Sequence, residues 1–222
     1  MPVLPARKKE PDAAELLAAL PAPLRELAAQ GTIRHYRAKT TLIEDGDRGD
    51  SLFVVLSGSL RIFCADANGR EITLAIYGPG EYVGEMSLDG GARTGSVCTE
   101  EASVCVVVSG QALRQHLAAN AEFTLELIRR LIRRTRLATE SARSLALLDA
   151  YGRLVRLFDG LASARADGTR LIAQRLTHRE IAQRIGCSRE LVSRLLKDLQ
   201  QGGYVALEGQ HYALLRKLPA KW

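Results

Sequence analysis

The stretch LTHREIAQRIGCSRELVSRLLKDL, residues 176–199, has the pattern of two short helices around a glycine. Thr177 followed three residues later by Glu180 predicts a capping box, so a helix is expected to begin here. Gly186 permits a sharp turn, and Ser188 is expected to cap the second helix. Together these signals predict a helix-turn-helix.

The predicted second helix has one apolar face and one charged face. Arginine matches guanine O6 and N7 in the major groove, and glutamate can accept a hydrogen bond from cytosine N4. The charged face therefore predicts base recognition, with a solvated surface as the alternative, since alternating charge is common on helices. The apolar stripe is Leu191, Val192, Leu195, Leu196 and Leu199, and the charged face is Arg189, Glu190, Ser193, Arg194 and Lys197.

Composition is consistent with this interpretation. The chain has 222 residues, 46% of them apolar, which is enough for one large or two smaller domains. Its net charge of +6 suits a polyanionic partner such as nucleic acid. There is no run of 18 apolar residues and no apolar leader at the N-terminus, so we expect a cytoplasmic protein without membrane association. The four cysteines, which lack metal-binding spacing, are expected to be reduced thiols and to form no metal site. They are Cys64, Cys98, Cys105 and Cys187.

The chain is expected to have an α+β fold in four parts. Short β-branched runs separated by turn dipeptides such as Asn68-Gly69 predict an antiparallel β-roll. The segment GYVALEGQHYALL near the C-terminus predicts a hairpin, the wing of a winged helix-turn-helix. RADGTR, which lies before the helix pair, is interpreted as a polar connection. The predicted parts are an N-terminal arm and helix (1–27), the β-roll (28–110), a dimerisation helix (111–148) and the winged helix-turn-helix (149–222).

The long helix carries a heptad-like apolar seam. Such a seam on a helix of this length predicts pairing with a second copy, hence a homodimer. An intramolecular core helix is the alternative, because the seam includes a threonine and two alanines. The seam residues are Ile128, Leu131, Thr135, Ala138, Ala142 and Leu145.

A second informative stretch is GEYVGEMSLDGGARTGSV, residues 80–97. A short helix that starts at Gly84, after a strand, would expose backbone N–H groups. Arg93 and Thr94, expected on the return strand, could add charge-assisted and hydroxyl donors for one phosphate. Glu85 would repel a phosphate but could accept from a ribose 2′-OH, which favours a ribonucleotide. The alternative is an internal Glu85–Arg93 ion pair in a loop without a ligand. The predicted pocket comprises Gly84, Glu85, Met86, Ser87, Arg93 and Thr94.

Three segments resemble the catabolite activator protein and fumarate-nitrate regulator family. REIAQRIGCSRELVSRLLKDL resembles its DNA-binding motif, SLALLDAYGRLVRLFDGLA its hinge and TLIEDGDRGDSLFVVLSGSLRIF its cyclic-nucleotide-binding roll. The resemblance extends over about residues 30–215. It implies a dimeric transcription regulator that contacts RNA polymerase at promoters.

The resemblance also implies a DNA site. Arg189, Glu190 and Arg194 fall where the catabolite activator branch reads its TGTGA half-site, which implies a TGTGA-N6-TCACA palindrome. Its half-sites lie about 10 bp apart. The remaining predicted DNA-binding residues are Thr177, His178, Arg179 and Lys197, expected at phosphates, together with Ser188 and Ser193.

For the effector, the resemblance implies cyclic AMP first and cyclic di-GMP second, bound by the family's phosphate-binding cassette. Two features depart from the cyclic-AMP-responsive branch. The segment between Glu85 and Arg93 is two residues shorter, and the polar pair that holds adenine falls on Ala138 and Thr139, which leaves Thr139 as the one hydroxyl.

Two other classes are alternatives. A haem- or redox-responsive regulator of the same fold would need iron ligands such as His35, His116 or Cys64, and residues 1–63 contain no cysteine for an N-terminal cluster. An effector-independent regulator is also possible. We expect no catalytic residues, because no nucleophile, paired-carboxylate or P-loop motif occurs.

Overall fold

A computed structural model describes residues 12–219 of the chain, apart from the Ser87 side chain. The first eleven residues of the predicted N-terminal arm lie outside the described residues. The helices are α1 (Ala13–Ala18), α2 (Ala22–Ala28), α3 (Gly110–Ala119), α4 (Ala121–Leu147), α5 (Ala150–Leu161), α6 (His178–Ile185) and α7 (Arg189–Gln201), with a 3-10 helix over Glu85–Asp89.

Twelve strands are described. Those of the N-terminal half are β1 (Thr32–Tyr36), β2 (Thr41–Ile43), β3 (Leu52–Ser57), β4 (Leu60–Ala65), β5 (Glu71–Tyr77), β6 (Tyr82–Val83), β7 (Ser96–Thr99) and β8 (Ser103–Val108). Those of the C-terminal half are β9 (Ala162–Ala164), β10 (Arg170–Ile172), β11 (Val205–Glu208) and β12 (His211–Leu214). The α+β class is confirmed.

The described residues separate into two compact units, one formed by 12–63 with 75–130 and the other by 64–74 with 131–219. The β-roll consists of two four-stranded sheets in the orders β1-β8-β3-β6 and β2-β7-β4-β5. The pairings within them are antiparallel. Strand β3 is buried along Leu52–Leu56, which explains why its sequence is a continuous apolar run rather than an alternating one.

Strands β1 to β5 and β8 form on the β-branched runs, and the strands expected on either side of the Gly84 segment form as β6 and β7. Arg93 and Thr94, expected on the return strand, lie in the loop before β7. Strand β6 has only two residues, and the four-residue β7 forms because it pairs with both β2 and β4.

The predicted dimerisation helix over 111–148 is divided into α3 and α4 by Asn120. The backbone of Asn120 is not helical (φ −127°, ψ 91°), and its Oδ1 accepts a hydrogen bond of 2.9 Å from Phe123 N. Asparagine competes with helical hydrogen bonds in this way and so favours helix starts. The long helix therefore begins at Ala121.

The second unit contains the C-terminal helices and a sheet in the order β11-β12-β10-β9. Its core packs α5, α6 and α7 against this sheet through residues such as Phe158, Ile181, Leu196 and Tyr212. The predicted polar connection RADGTR is the turn of a hairpin, because β9 and β10 pair across it. The β11–β12 hairpin is confirmed.

The tip of the β4–β5 hairpin belongs to this second unit. Gln183 Nε2 on α6 donates a hydrogen bond of 2.6 Å to Glu71 Oε2 on β5. This contact joins residues more than a hundred positions apart and was not predicted. Within residues 12–219, no helix is long and apolar enough to cross a membrane.

Candidate nucleic-acid interface and effector pocket

The helix-turn-helix is capped as predicted. Thr177 Oγ1 accepts from Glu180 N at 3.2 Å, and Thr177 N donates to Glu180 Oε2 at 2.6 Å, which completes the capping box. Gly186 ends α6 in the left-handed region (φ 65°). Ser188 Oγ accepts from Leu191 N at 3.2 Å and caps α7. Local side-chain chemistry therefore sets both helix starts.

The two faces of α7 separate as the sequence predicts. Val192, Leu195, Leu196 and Leu199 are buried in the core of the second unit, and Leu191 is half-buried at its edge. The opposite face exposes cationic and acidic side chains that make no hydrogen bond or ion pair with any residue in the described part of the chain. These side chains belong to Arg189, Glu190, Arg194 and Lys197.

The other predicted DNA-binding residues lie beside this face. Arg179 on α6 is exposed, whereas the hydroxyls of Thr177 and Ser188 serve as helix caps. His178 and Ser193 contact each other, with His178 Nδ1 and Ser193 Oγ 2.7 Å apart. The structure thus brings all nine residues to α6 and α7 and engages four of them internally.

Arg153 on α5 was not among the predicted site residues. Its guanidinium donates to Leu148 O at 2.7 Å, to Ile185 O at 2.6 Å and to Gly186 O at 3.4 Å. The last residues of a helix leave carbonyl groups without intrahelical donors, and a cation is favourable there. Arg153 therefore ties the segment that follows α4 to the turn of the helix-turn-helix.

The wing carries an ion pair. Arg165, in the β9–β10 turn, contacts Glu208 at the tip of the β11–β12 hairpin, with 2.8 Å between Nη1 and Oε2. A carboxylate at a wing tip would repel DNA phosphates, and the paired arginine offsets its charge.

Two of the residues predicted for the effector pocket, Gly84 and Arg93, contact each other. Gly84 lies in the left-handed region (φ +108°), and a β-carbon there would be 2.9 Å from Arg93 Nη1. The Arg93 guanidinium is buried and donates to Gly84 O and to Ser51 O, both at 2.8 Å. Only glycine allows the backbone to approach the guanidinium this closely.

Arg93 has donors left for an anion. Two of its five N–H groups are used by the Gly84 and Ser51 carbonyls, and an arginine stays charged at neutral pH. Burial lowers the pKa of the Arg93 guanidinium from its ordinary value, while the carboxylates of Asp50 and Asp47 act to raise that pKa. The pocket thus contains one buried cation with two acidic residues nearby.

The other residues predicted for the effector pocket differ in exposure and in contacts. Glu85 begins the 3-10 helix and is buried, only 3% exposed, whereas Met86 is exposed and its Sδ lies 3.6 Å from Thr94 Oγ1. Thr139, on α4 in the second unit, donates its hydroxyl to Thr135 O at 2.9 Å. The Ser87 side chain is outside the described atoms.

Helix α4 exposes large apolar side chains. Of the predicted seam, Leu131 is half-buried and the other five residues are exposed. Leu125, Ile128 and Ile132 are each about half exposed. Helix α4 also carries several arginines. One of them, Arg130, is half-buried, and its guanidinium lies over the Tyr82 ring, 4.0 Å from the ring centroid.

The residues considered as iron ligands, His35, His116 and Cys64, lie on different elements, and both ring nitrogens of His116 are close to other polar groups. His116 is buried, with Nε2 3.1 Å from Pro23 O and Nδ1 3.5 Å from Gln30 Nε2. His35 is exposed on β1, and Cys64 belongs to the second unit. Cys64, Cys98, Cys105 and Cys187 form no disulfide, and Cys98 and Cys105 are buried. No group of three His, Cys, Asp or Glu residues within 12–219 is arranged to hold a metal ion.

Comparison with known proteins agrees with this geometry. Residues 33–120 match the cyclic nucleotide-binding domain family, and residues 152–219 match the Crp-like helix-turn-helix domain family. The CRP-like cAMP-activated global transcriptional regulator of Mycobacterium tuberculosis is 34% identical, over 77% of this chain and 78% of the relative. The cAMP-activated global transcriptional regulator CRP of Salmonella typhimurium is 30% identical, over 80% and 87%.

A solved structure shows the same fold. The c-di-GMP responsive global regulator CLP of Xanthomonas campestris superimposes with a TM-score of 0.77 at 29% identity, over 87% of this chain and 98% of that one. Both halves of the chain, the effector-binding domain and the DNA-binding helix-turn-helix, thus have counterparts in regulators of one kind. The chain belongs to the catabolite activator protein and fumarate-nitrate regulator family of DNA-binding transcription regulators.

Proposed function

We propose that this regulator acts as a homodimer that reads a TGTGA-N6-TCACA palindrome under the control of a cyclic nucleotide bound in the β-roll. The observation that carries the proposal is the exposed face of α7. Arg189, Glu190 and Arg194 occupy its first two turns, and their side chains make no hydrogen bond or ion pair with any described residue. Side chains at the start of a recognition helix are those that reach base edges.

The phosphate contacts are assigned to cations around this face. Arg179 and Lys197 are exposed and can each bind a phosphate oxygen, which positions the protein without specifying sequence. Thr177 and Ser188 lie at helix starts, where backbone N–H groups favour an anion.

The homodimer is supported by α4. Its exposed apolar residues would remain in water in a monomer, and pairing with a second copy would bury them. Two recognition helices related by a two-fold axis match the two half-sites of a palindrome. Contact with RNA polymerase and a cytoplasmic location are part of the same proposal.

Cyclic AMP is the first candidate for the effector and cyclic di-GMP the second. Arg93 and the backbone N–H groups after Gly84 suit a phosphodiester, and the buried carboxylate of Glu85 suits a ribose hydroxyl. The relatives named above respond to one or the other of these nucleotides. The pocket residues proposed to contact the effector are Gly84, Glu85, Met86, Ser87, Arg93 and Thr94, with Thr139 from α4.

DNA reading is tested by fluorescence anisotropy with a labelled TGTGA-N6-TCACA duplex and a scrambled duplex of the same composition. We expect the palindrome to bind more tightly by at least a thousandfold. Light scattering on the same sample should give twice the chain mass. Equal affinity for both duplexes, measured without a nucleotide and again with cyclic AMP and with cyclic di-GMP, would contradict the proposal, and so would a monomer at micromolar concentration.

The effector is tested by isothermal titration with cyclic AMP, cyclic GMP and cyclic di-GMP, using Arg93→Ala as the control variant. Binding of one nucleotide that Arg93→Ala abolishes would support the pocket and identify the signal. If none of them produces heat while the palindrome still binds tightly, the regulator uses another ligand or none.

A further inference from the structure

His178 and Ser193 form a link between the two helices of the helix-turn-helix. His178 is the first residue of α6 and Ser193 lies in the second turn of α7. The imidazole Nδ1 is 2.7 Å from Ser193 Oγ, and Ser193 Oγ donates to Arg189 O at 3.0 Å. The chain of contacts therefore ends at the backbone of a residue proposed to read a base.

The direction of the first hydrogen bond follows from proton counting. A serine hydroxyl has one proton, and Arg189 O, 3.0 Å from Ser193 Oγ, can only accept, so a hydrogen bond between them uses that proton. Ser193 Oγ must then accept, so the imidazole donates through Nδ1–H. Nδ1–H is then committed to Ser193 and is not available to a phosphate oxygen.

The His178–Ser193 hydrogen bond fixes a direction between α6 and α7, which the apolar contacts between these helices do not. Ile181 and Val192 are buried in the shared core, but apolar burial has no preferred direction. A hydrogen bond is directional and weakens steeply when it bends. The link from His178 therefore resists rotation of α7 about its own axis, and such a rotation would move the long side chains of Arg189 and Arg194 away from the bases.

We infer that His178 and Ser193 are positioning residues that set the orientation of the recognition helix, and that neither contacts DNA. This inference rests on the proposed role of α7 in reading DNA. It replaces, for His178, the phosphate contact predicted from the sequence.

Two isosteric variants of His178 test the inference. In His178→Asn the amide nitrogen takes the place of Nδ1, whereas in His178→Gln it takes the place of Nε2. The readout is the ratio of dissociation constants for a random duplex and the TGTGA-N6-TCACA duplex. We expect His178→Asn to keep this ratio within about twofold, and His178→Gln or Ser193→Ala to lower it roughly five- to tenfold, which corresponds to one hydrogen bond.

Two further features distinguish positioning from general destabilisation. Affinity for the random duplex should stay unchanged, because phosphate contacts supply nonspecific binding. The double variant His178→Gln/Ser193→Ala should discriminate no worse than either single variant, because both remove the same link.

The opposite pattern would overturn the inference. If His178 contacts a phosphate through Nε2, His178→Gln should bind like the wild type. His178→Asn should then lose affinity for both duplexes equally, with the salt dependence reduced by about one phosphate contact. Ser193→Ala would in that case have no effect.

A measurement without DNA tests the link by itself. Nitrogen-15 shifts of the histidine rings in the full-length dimer, assigned to His178 by their loss in His178→Asn, should show the Nδ1–H tautomer. The Nε2–H tautomer would overturn the inference. A wild-type protein with no preference for the palindrome would contradict the proposed function, and the ring shifts would still decide whether the link exists.

Discussion

Arg93 Nη1 donates a hydrogen bond of 2.8 Å to Gly84 O, and it would lie only 2.9 Å from a β-carbon on Gly84. The conformation of Gly84 and the position of the buried Arg93 guanidinium therefore depend on each other. Gly84 supplies the left-handed conformation, and Arg93 supplies the donor for the carbonyl that this conformation presents. The phosphate-binding geometry proposed for the pocket depends on both.

Gly84→Ala should destabilise the β-roll. An alanine at φ +108° is strained, and its β-carbon would push against Arg93 and the Ser51 carbonyl. We expect a loss of about 1–3 kcal/mol in the free energy of unfolding, measured by urea denaturation followed by circular dichroism. Gly78→Ala is the matched control, since nothing lies within 4 Å of its β-carbon position. Equal losses for the two variants would contradict the described pocket.

The reading face of α7 makes a prediction about sequence selection. Arg189→Ala and Arg194→Ala should each weaken binding to the palindrome by about 1–3 kcal/mol and relax selection at one base pair. Lys197→Ala should weaken binding to all duplexes about equally and lower the salt dependence by about one phosphate. Anisotropy with singly substituted duplexes at several salt concentrations measures both effects. Unchanged binding by both arginine variants would refute the assignment.

Arg153 is expected to matter more for stability than its neighbour on the same helix. Arg153→Met leaves the Leu148, Ile185 and Gly186 carbonyls without this donor, at a cost of about 1–3 kcal/mol. Arg156→Met removes only an exposed pair with Glu140, which is worth less than about 1 kcal/mol. Thermal unfolding of the two variants provides the comparison. Similar losses would mean that the contacts of Arg153 contribute little.

Raising the pH above about 9 should lower the free energy of unfolding through the buried thiol of Cys105. Burial raises its pKa to about 12 from an ordinary value of 9.0. Because the folded state holds this proton more tightly, the stabilisation is complete below the unfolded pKa and is lost as pH rises from about 9 towards 12. The slope is about 1.4 kcal/mol per pH unit for one proton. Cys105→Ala should flatten the decline of the unfolding free energy between pH 9 and 10.5. Parallel curves for the variant and the wild type would show that Cys105 does not contribute.

Features controlled by nearest neighbours were predicted from the sequence. The capping box at Thr177, the left-handed Gly186 and the Ser188 cap all depend on residues within a few positions of each other. The 3-10 helix after Gly84 and the β11–β12 hairpin are local in the same sense. The break at Asn120 is also local, since the Asn120 side chain accepts from Phe123 N, but it was not predicted.

Features created by distant partners were not predicted. The tip of the β4–β5 hairpin reaches α6 through the hydrogen bond between Gln183 and Glu71. The contacts of Arg153 join residues about thirty positions apart. Hydropathy periodicity records which face of an element is buried and not which element covers it.

The recognition helix and its caps follow from the sequence, because helix propensity, capping and turn chemistry act over a few residues. How the polar residues are used depends on packing. It placed Arg93 against the Gly84 and Ser51 carbonyls, and it engaged His178 with Ser193 while leaving Arg189 and Arg194 exposed. The physical reason is that a polar side chain shows in the sequence what it can bind, whereas packing determines which partner lies within hydrogen-bonding distance.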